Sequence, residues 1–322
     1  MAEHLGRISS PASSAKGRVK ERPGDRIFSG SARTAGIFIL ATLAAVSGFL
    51  MLEGLPAITA DPNDISLLDG QSFWSWVFPL VFGTLWAATL ALIAAVPVSI
   101  GIALFISHYA PRRIAAPLGY LVDLLAAVPS VVYGLWGGVV LAPAIQPSYT
   151  WLAENLSFIP FFAGPASGTG RTILTAAIVL AVMVLPIITA VSREVFLQTP
   201  SLYEEASLAL GSTKWEMIRT VVLPVGRGGI ISAAMLGLGR ALGETLAVAM
   251  VLSATGVISL NLISSVNPST IAANVALSFP EAYGLNVNVL IASGLILFAI
   301  TLVVNIGARW IVDRRKDFSG AN

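Results

Sequence analysis

Residues 79–107 read PLVFGTLWAATLALIAAVPVSIGIALFIS, a run with no Asp, Glu, Lys or Arg anywhere in it. A helix rises about 1.5 Å per residue, so roughly 20 apolar residues cross ~30 Å of hydrocarbon. This run exceeds that need and lacks the alternation of a barrel strand. It therefore reads as a spanning helix long enough to tilt or kink. Working outward, similar runs occur at 36–55, 115–143, 172–193, 228–252 and 287–312. The chain of 322 residues is 56% hydrophobic and 11% charged, where soluble domains carry about a quarter charged residues. The expected fold class is all-α: a polytopic membrane protein with six transmembrane helices.

Basic residues orient the bundle. Seventeen of the 19 Lys and Arg fall on one side of a six-span arrangement: seven before residue 36, then Arg112, Arg113, Arg193, Lys214, Arg219, Arg227, Arg309 and three in the C-terminal tail. An odd number of spans would divide them between the two faces. Both termini are thus expected in the cytoplasm. The domains expected are a basic, disordered tail at 1–35, a six-helix membrane domain at 36–312 with an inward loop at 194–227, and a cytoplasmic tail at 313–322. The net charge of +2 comes from these flanks and suits anionic lipid, not nucleic acid. With no cysteine and only His4 and His108, neither a disulfide framework nor a transition-metal site is expected.

The prolines Pro97, Pro129 and Pro186 are expected to kink their spans. The outward segment 253–286 carries apolar residues at Ile271, Val275 and 277–279, the pattern of a short helix lying at the surface.

The inward loop carries Glu205-Ala206-Ser207, then Gly211, then Leu223-Pro224. Ser201 is placed to cap a helix whose first turn holds Glu204 and Glu205, which suits the positive end of the dipole. Gly211 can take the left-handed conformation that ends it. Ser212 then caps a second helix, 213–222, and Pro224 is expected to break the chain near the membrane. A helix–turn–helix lying along the cytoplasmic surface results.

Inside the fifth span lie Arg240 and Glu244. Their places along a helix entered near residue 228 put them roughly 18–24 Å into the hydrocarbon. An unpaired arginine at that depth costs from ~3 to above 10 kcal/mol. Positions four apart share a helix face, so the two charges are expected to neutralise each other, with Ala233, Gly237, Ala241 and Val248 on the same side. Buried ion pairs add little stability over apolar replacements, so a role in a solute pathway is the better reason for them. A guanidinium fork suits phosphate or sulfate oxygens. Asp123, near the inner end of the third span, is the other acid read as buried, with pathway and packing roles both open.

The loop pattern resembles the motif shared by permease subunits of ABC importers: Glu-Ala-Ala, three residues, Gly, nine residues, Ile-x-Leu-Pro. The spacing is intact here, with Ser207 for Ala and Val221 for Ile. The resemblance narrows with Gly239-Arg240-Ala241-Leu242-Gly243-Glu244-Thr245 and with Val128-Pro129-Ser130-Val131-Val132-Tyr133-Gly134-Leu135, which resemble the phosphate-specific ABC transporter permeases, the PstC-type subunit more than the PstA-type. It covers roughly residues 79–312. It implies an ABC importer permease fold in a bacterial cytoplasmic membrane. It also implies a PstA-type permease partner, two ATPase subunits and an extracytoplasmic phosphate-binding protein. Glu205, Ala206, Gly211, Leu223 and Pro224 would couple to the ATPase. Arg240 and Glu244, with Asp123, Ser130 and Thr245 as further candidates, would line the substrate pathway.

No Gly-x-x-x-x-Gly-Lys-Ser/Thr phosphate loop occurs in the chain. ATP-Mg would therefore be used by the partner, and this chain is expected to bind no cofactor and to be no enzyme by itself. The rival substrates are sulfate and molybdate. The rival class is an ion-coupled carrier using Arg240, Glu244 and Asp123 as a relay, which would need no docking loop.

Overall fold

The computed structural model describes residues 23–316. Of the two expected tails, residues 1–22 and 317–322 lie outside the described residues. Two units are distinguished, Met1–Phe49 and Leu50–Asn322. The first is described only as helix, the opening part of α1 (Pro23–Thr59), which starts inside the segment expected to be disordered. The second contains everything below.

Six helical stretches among the described residues are long and apolar enough to cross a membrane: Ile27–Thr59, Phe73–Tyr109, Ser130–Asn155, Ile173–Leu197, Lys214–Leu242 and Leu285–Trp310. They are built from α1, α2 (Phe73–Leu104), α4 (Ser130–Trp136) with α5 (Ala142–Asn155), α6 (Ile173–Leu197), α8 (Lys214–Met217) with α9 (Leu223–Leu242), and α12 (Leu285–Lys316). Between them lie the short helices α3 (Arg112–Ala126), α7 (Ser201–Ala209), α10 (Leu246–Val251) and α11 (Ile271–Ser278).

Two expected spans are corrected. The run 115–143 is not one helix. Its first half is α3, which leaves Tyr120, Leu121, Leu124 and Leu125 exposed and ends before Pro129. The crossing segment runs from Ser130 to Asn155. Its polar residues bond to one another or to a neighbour, Gln146 Nε2 to Thr150 Oγ1 at 3.1 Å and Tyr149 Oη to Thr175 Oγ1 at 2.7 Å. That is how a segment of modest hydropathy can enter hydrocarbon. The run 228–252 is likewise interrupted: α9 stops at Gly243, and α10 restarts at Leu246.

Proline acts through two devices. Pro129 starts α4 and breaks the chain there. Pro224 does not break it, contrary to expectation. The preceding turn, Ile218–Val222, widens to a π-helix in which the Leu223 amide donates to the Ile218 carbonyl five residues back. Gly137–Leu141 does the same ahead of Pro143. Widening by one residue moves aside the carbonyl that the proline ring would strike. Pro97 and Pro186 sit inside the continuous helices α2 and α6. Beside them the Ser99 hydroxyl donates to the Leu185 carbonyl at 3.1 Å, joining the two helices.

The core sits around α6. Small residues of α2 (Ala87, Ala88, Ala91 and Ala95) pack against Val179, Leu180, Met183 and Val184. On the other flank, Ala233 of α9 joins this core, and a Cβ on Gly237 would lie 2.7 Å from Ile188 Cδ1. Small-on-large packing lets membrane helices approach closely without a hydrophobic driving force.

On the outer side the chain from 253 to 270 forms a polar cap over α2 and α6. Asn267 is fully buried. Its Oδ1 accepts from the Ile173 amide at 3.1 Å, and its Nδ2 donates to the carbonyls of Ser253 at 3.2 Å and Ser264 at 2.9 Å. Thr84 Oγ1 accepts from the Ile271 amide at 3.0 Å. The short helix expected in this region is α11. It does not lie on the surface: its first residues Ile271, Ala272 and Ala273 are buried in the bundle.

Candidate functional site

The inward loop forms a helix and a turn as expected, but the second helix does not end at Pro224 along the surface: it runs on from Lys214 into the fifth span. Helix α7 runs Ser201–Ala209 and presents Glu205 and Ala206 to solvent. Pro200, not Ser201, holds the cap position, and Ser201 is already the first helical residue. Gly211 has φ of +88°, the left-handed turn an L side chain resists. Ser207 accounts for its own departure from the family pattern: its hydroxyl lies 2.7 Å from that of Ser212, whose hydroxyl also meets the Ser207 carbonyl at 2.6 Å. The second helix is capped by Thr213, not Ser212. Thr213 Oγ1 accepts from the Glu216 amide at 3.3 Å, and Glu216 Oε2 accepts from the Thr213 amide at 2.8 Å, a reciprocal capping box.

Around this turn Leu202, Tyr203, Leu208, Leu210 and Trp215 are all exposed, Leu210 by 90%. Below it, Met217, Ile218 and Val222 are buried with Leu104 of α2 and Phe196 of α6. Leu223 is half-buried and Pro224 exposed at the base of α9. The loop thus offers apolar knobs to a partner on one side and is locked to three spans on the other. Two polar contacts add to the lock: His108 Nε2 lies 3.4 Å from Glu204 Oε1, and Lys214 Nζ sits 5.0 Å from the centre of the Tyr109 ring.

Within the membrane, Arg240 ends α9 and Glu244 lies in the gap, 243–245, between α9 and α10. Arg240 is in the last turn of α9, where outward-facing carbonyls favour a cation. Glu244 is buried, and its Oε1 accepts from the Ala247 amide at 3.1 Å at the start of α10. The expected mutual neutralisation is not found. The described residues show no ion pair between the two, and Arg240 Nε is buried without a hydrogen-bond partner.

Arg240 instead borders a cavity of about 800 Å³ between α6, α9 and α12. Its wall on α9 is formed by two adjacent ridges, Ser232-Leu236-Arg240 and Ile231-Met235-Gly239. Asn305, Ala308 and Arg309 supply the opposite wall. Among the described residues no carboxylate lines it.

The other pathway candidates lie elsewhere. Asp123 is exposed on α3, not buried in a span. Ser130 starts α4, and Thr245 lies in the α9–α10 gap with its hydroxyl donating to the Gly243 carbonyl at 3.1 Å. The Ala233, Gly237 and Ala241 face is filled by a neighbouring helix, not by solute. The two short motifs are nonetheless brought close: a Cβ on Gly134 would come within 2.8 Å of the Ala247 backbone, just past the second motif.

Residues 95–317 match the family described as binding-protein-dependent transport system inner membrane component. The chain belongs to that family. As such a component it is a membrane-spanning subunit of a bacterial ABC importer, a family that works with separate ATPase and binding-protein subunits. It is 42% identical over 315 residues to the phosphate transport system permease protein PstC 2 of Mycobacterium tuberculosis, covering 94% of this chain and 96% of that protein. It is 39% identical over 309 residues to the PstC of Mesorhizobium japonicum, covering 92% of each. In fold it is similar to a chain of a bacterial ABC transporter involved in import of the acidic polysaccharide alginate, with TM-score 0.58 and 14% identity over 90% of this chain and 99% of that one. A chain of the MetNI methionine ABC transporter gives TM-score 0.50 and 16% identity over 77% of this chain and 95% of that one.

Sequence reasoning missed three features. Arg309 reads as one more topology cation, and only the facing of α12 toward α9 marks it out. His108 reads as a lone histidine until α7 is folded against α2. The α9–α10 gap had a faint signal in Gly243 followed by the β-branched Thr245.

Proposed function

We propose that this chain is the PstC-type half of the membrane pathway of an ATP-driven phosphate importer. It would pair with a PstA-type permease, two ATPase subunits and an extracytoplasmic phosphate-binding protein. It would hold no nucleotide or other cofactor itself, ATP-Mg being consumed by the ATPase. The observation that supports this best is the unpartnered, buried Nε of Arg240 at a cavity whose lining has no carboxylate. A guanidinium with its Nε buried and unpartnered is costly to hold there unless an anion visits it. The likeness to proteins named phosphate permeases gives that anion its identity.

In this reading loaded binding protein docks outside, and ATP closes the ATPase dimer. Movement enters through α7 and the exposed knobs Leu210 and Trp215. Because α7 is joined to α2, α6 and α9, the push is shared among three spans. Phosphate then passes Arg240, which attracts it without the full cage that would hold it. Glu244 braces the α9–α10 gap through the Ala247 amide and does not neutralise the arginine. An ion-coupled relay is disfavoured, since Asp123 is outside the bundle and no acid lines the cavity.

The test is ATP-dependent uptake of labelled phosphate by the reconstituted complex, with unlabelled sulfate as competitor. Uptake unaffected by excess sulfate is expected. Sulfate or molybdate outcompeting phosphate would replace the substrate, and uptake without ATP would overturn the importer class.

A further inference from the structure

The cavity holds a second cation that the pathway described above does not use. Asn305, Ala308 and Arg309 are spaced at i, i+3 and i+4 and so share one face of α12. Ala308 is buried on that face, while Val303 and Trp310 are exposed on the opposite one. Asn305 and Arg309 are exposed, and both border the slot between α12 and α9. A cation whose only task is to mark topology gains nothing from that placement. Helices α9 and α12 run in opposite directions, so Arg309, near the inner end of its span, lies toward the inner end of the ridge that begins at Ser232. Arg240 lies two turns further along that ridge, about 12 Å deeper at the helical rise.

The two guanidiniums thus mark two levels of one slot. Between them the polar groups are the Ser232 hydroxyl and the Asn305 amide. Among the described residues the lining carries two positive charges and no negative one. No carboxylate lies within ion-pair distance of Arg309 or Arg240 among the described residues.

Resting on the phosphate reading above, we propose that Arg309 and Asn305 form a second oxyanion station at the cytoplasmic end of the slot. It receives the anion released from Arg240 and is fitted to a small dianionic oxyanion. Each guanidinium offers a fork to two oxygens. The Asn305 amide can donate to one phosphate oxygen or accept from a protonated one. Splitting the positive charge over two levels keeps either station from holding a dianion too tightly. It also raises the local anion concentration at the mouth. The same chemistry would suit the phosphate of an anionic lipid headgroup, and the experiment separates the two sources.

The chain has no cysteine, so Ser232→Cys places a single thiol of this chain on the slot wall, with Met235→Cys as a second reporter if the first does not assemble. The complete complex is reconstituted in vesicles of zwitterionic lipid, or of zwitterionic lipid with phosphatidylglycerol. The rate of thiol modification is read with an anionic and a neutral reagent, with and without inorganic phosphate. In zwitterionic vesicles the anionic reagent should be favoured by about tenfold over the neutral one after correction for intrinsic reactivity, a field effect of ordinary size. Phosphate should slow modification severalfold. Arg309→Gln should remove most of both effects, Arg309→Lys should keep the preference but weaken protection, and neutral-reagent modification should be unchanged.

Protection and charge preference both untouched by Arg309→Gln would overturn the station. So would protection by phosphatidylglycerol without any by free phosphate, which would make the slot a headgroup site. Protection by sulfate or molybdate in a complex that does not take up phosphate would keep the station and remove the phosphate reading.

Discussion

The outer cap and the inner slot are both polar regions inside an apolar bundle, and they treat their polar groups in opposite ways. In the cap, fully buried Asn267 makes three hydrogen bonds through its side chain, and Thr84 closes the start of α11. In the slot, Arg240 Nε is buried with no partner, and among the described residues no lining acid balances Arg240 or Arg309. A satisfied buried network holds a structure in one arrangement. An unsatisfied cation keeps a capacity for a counter-ion. On the proposed function, the contrast would separate scaffold from pathway more sharply than residue type does.

The largest effect that could break this contrast is at Arg240. Arg240→Gln should lower phosphate uptake on the order of a hundredfold, the loss seen when one preorganised anion donor is removed. Assembly, checked by copurification of the ATPase subunits, should be retained. Near-normal uptake would place Arg240 with the scaffold. Next is the coupling turn. Gly211→Val forces a β-branched residue to φ of +88° where open space surrounds it, so the strain is in the backbone alone. Uptake should fall about tenfold, with weaker ATPase association, as for strain of ~1–2 kcal/mol at a contact surface. Wild-type copurification and coupled uptake would count against the turn.

In the cap the expected pattern is reversed. Asn267→Ala leaves buried partners unsatisfied and should cost about 2–4 kcal/mol of stability, measured as a lower melting temperature of the purified complex. Uptake per folded complex should be preserved, and a specific loss of uptake would move the cap into the pathway. The smallest effect is at the lock between α2 and α7. Glu204→Gln should change the ratio of phosphate transported to ATP hydrolysed by roughly two- to threefold, in keeping with a contact worth ~0.5 kcal/mol. An unchanged ratio would leave that contact without a coupling role.

Much of the fold was legible because hydrocarbon imposes a demand on composition. The runs at 79–107, 172–193 and 287–312 lie within or closely overlap observed spans. Where reading failed, the physics was local. Apolar residues of α3 look the same to a hydropathy count whether they lie along an interface or cross it. The true third span conceals its polarity in bonds such as Tyr149 to Thr175, which a single sequence does not reveal. Proline had two outcomes because Pro224 follows a π turn while Pro129 opens a helix. In the inward loop α7 and the left-handed turn at Gly211 were legible because they are local backbone tasks, whereas the break expected at Pro224 was not found. The caps were off by one residue at Thr213 and Pro200, an ordinary margin for helix ends. At the site, the expected pairing of Arg240 with Glu244 was misread. Four-residue spacing implies a shared face only on an unbroken helix, and the helix breaks between the two charges.

The most direct test of solute contact at Arg240 is chemical access to that position. In Arg240→Cys complex, modification by a small anionic thiol reagent is measured in the resting, ATP-bound and vanadate-trapped states. Modification in at least one of these states, slowed by millimolar phosphate, is the expected result. A thiol that stays unmodified in every state would mean that position 240 is sealed within protein and that the anion travels elsewhere.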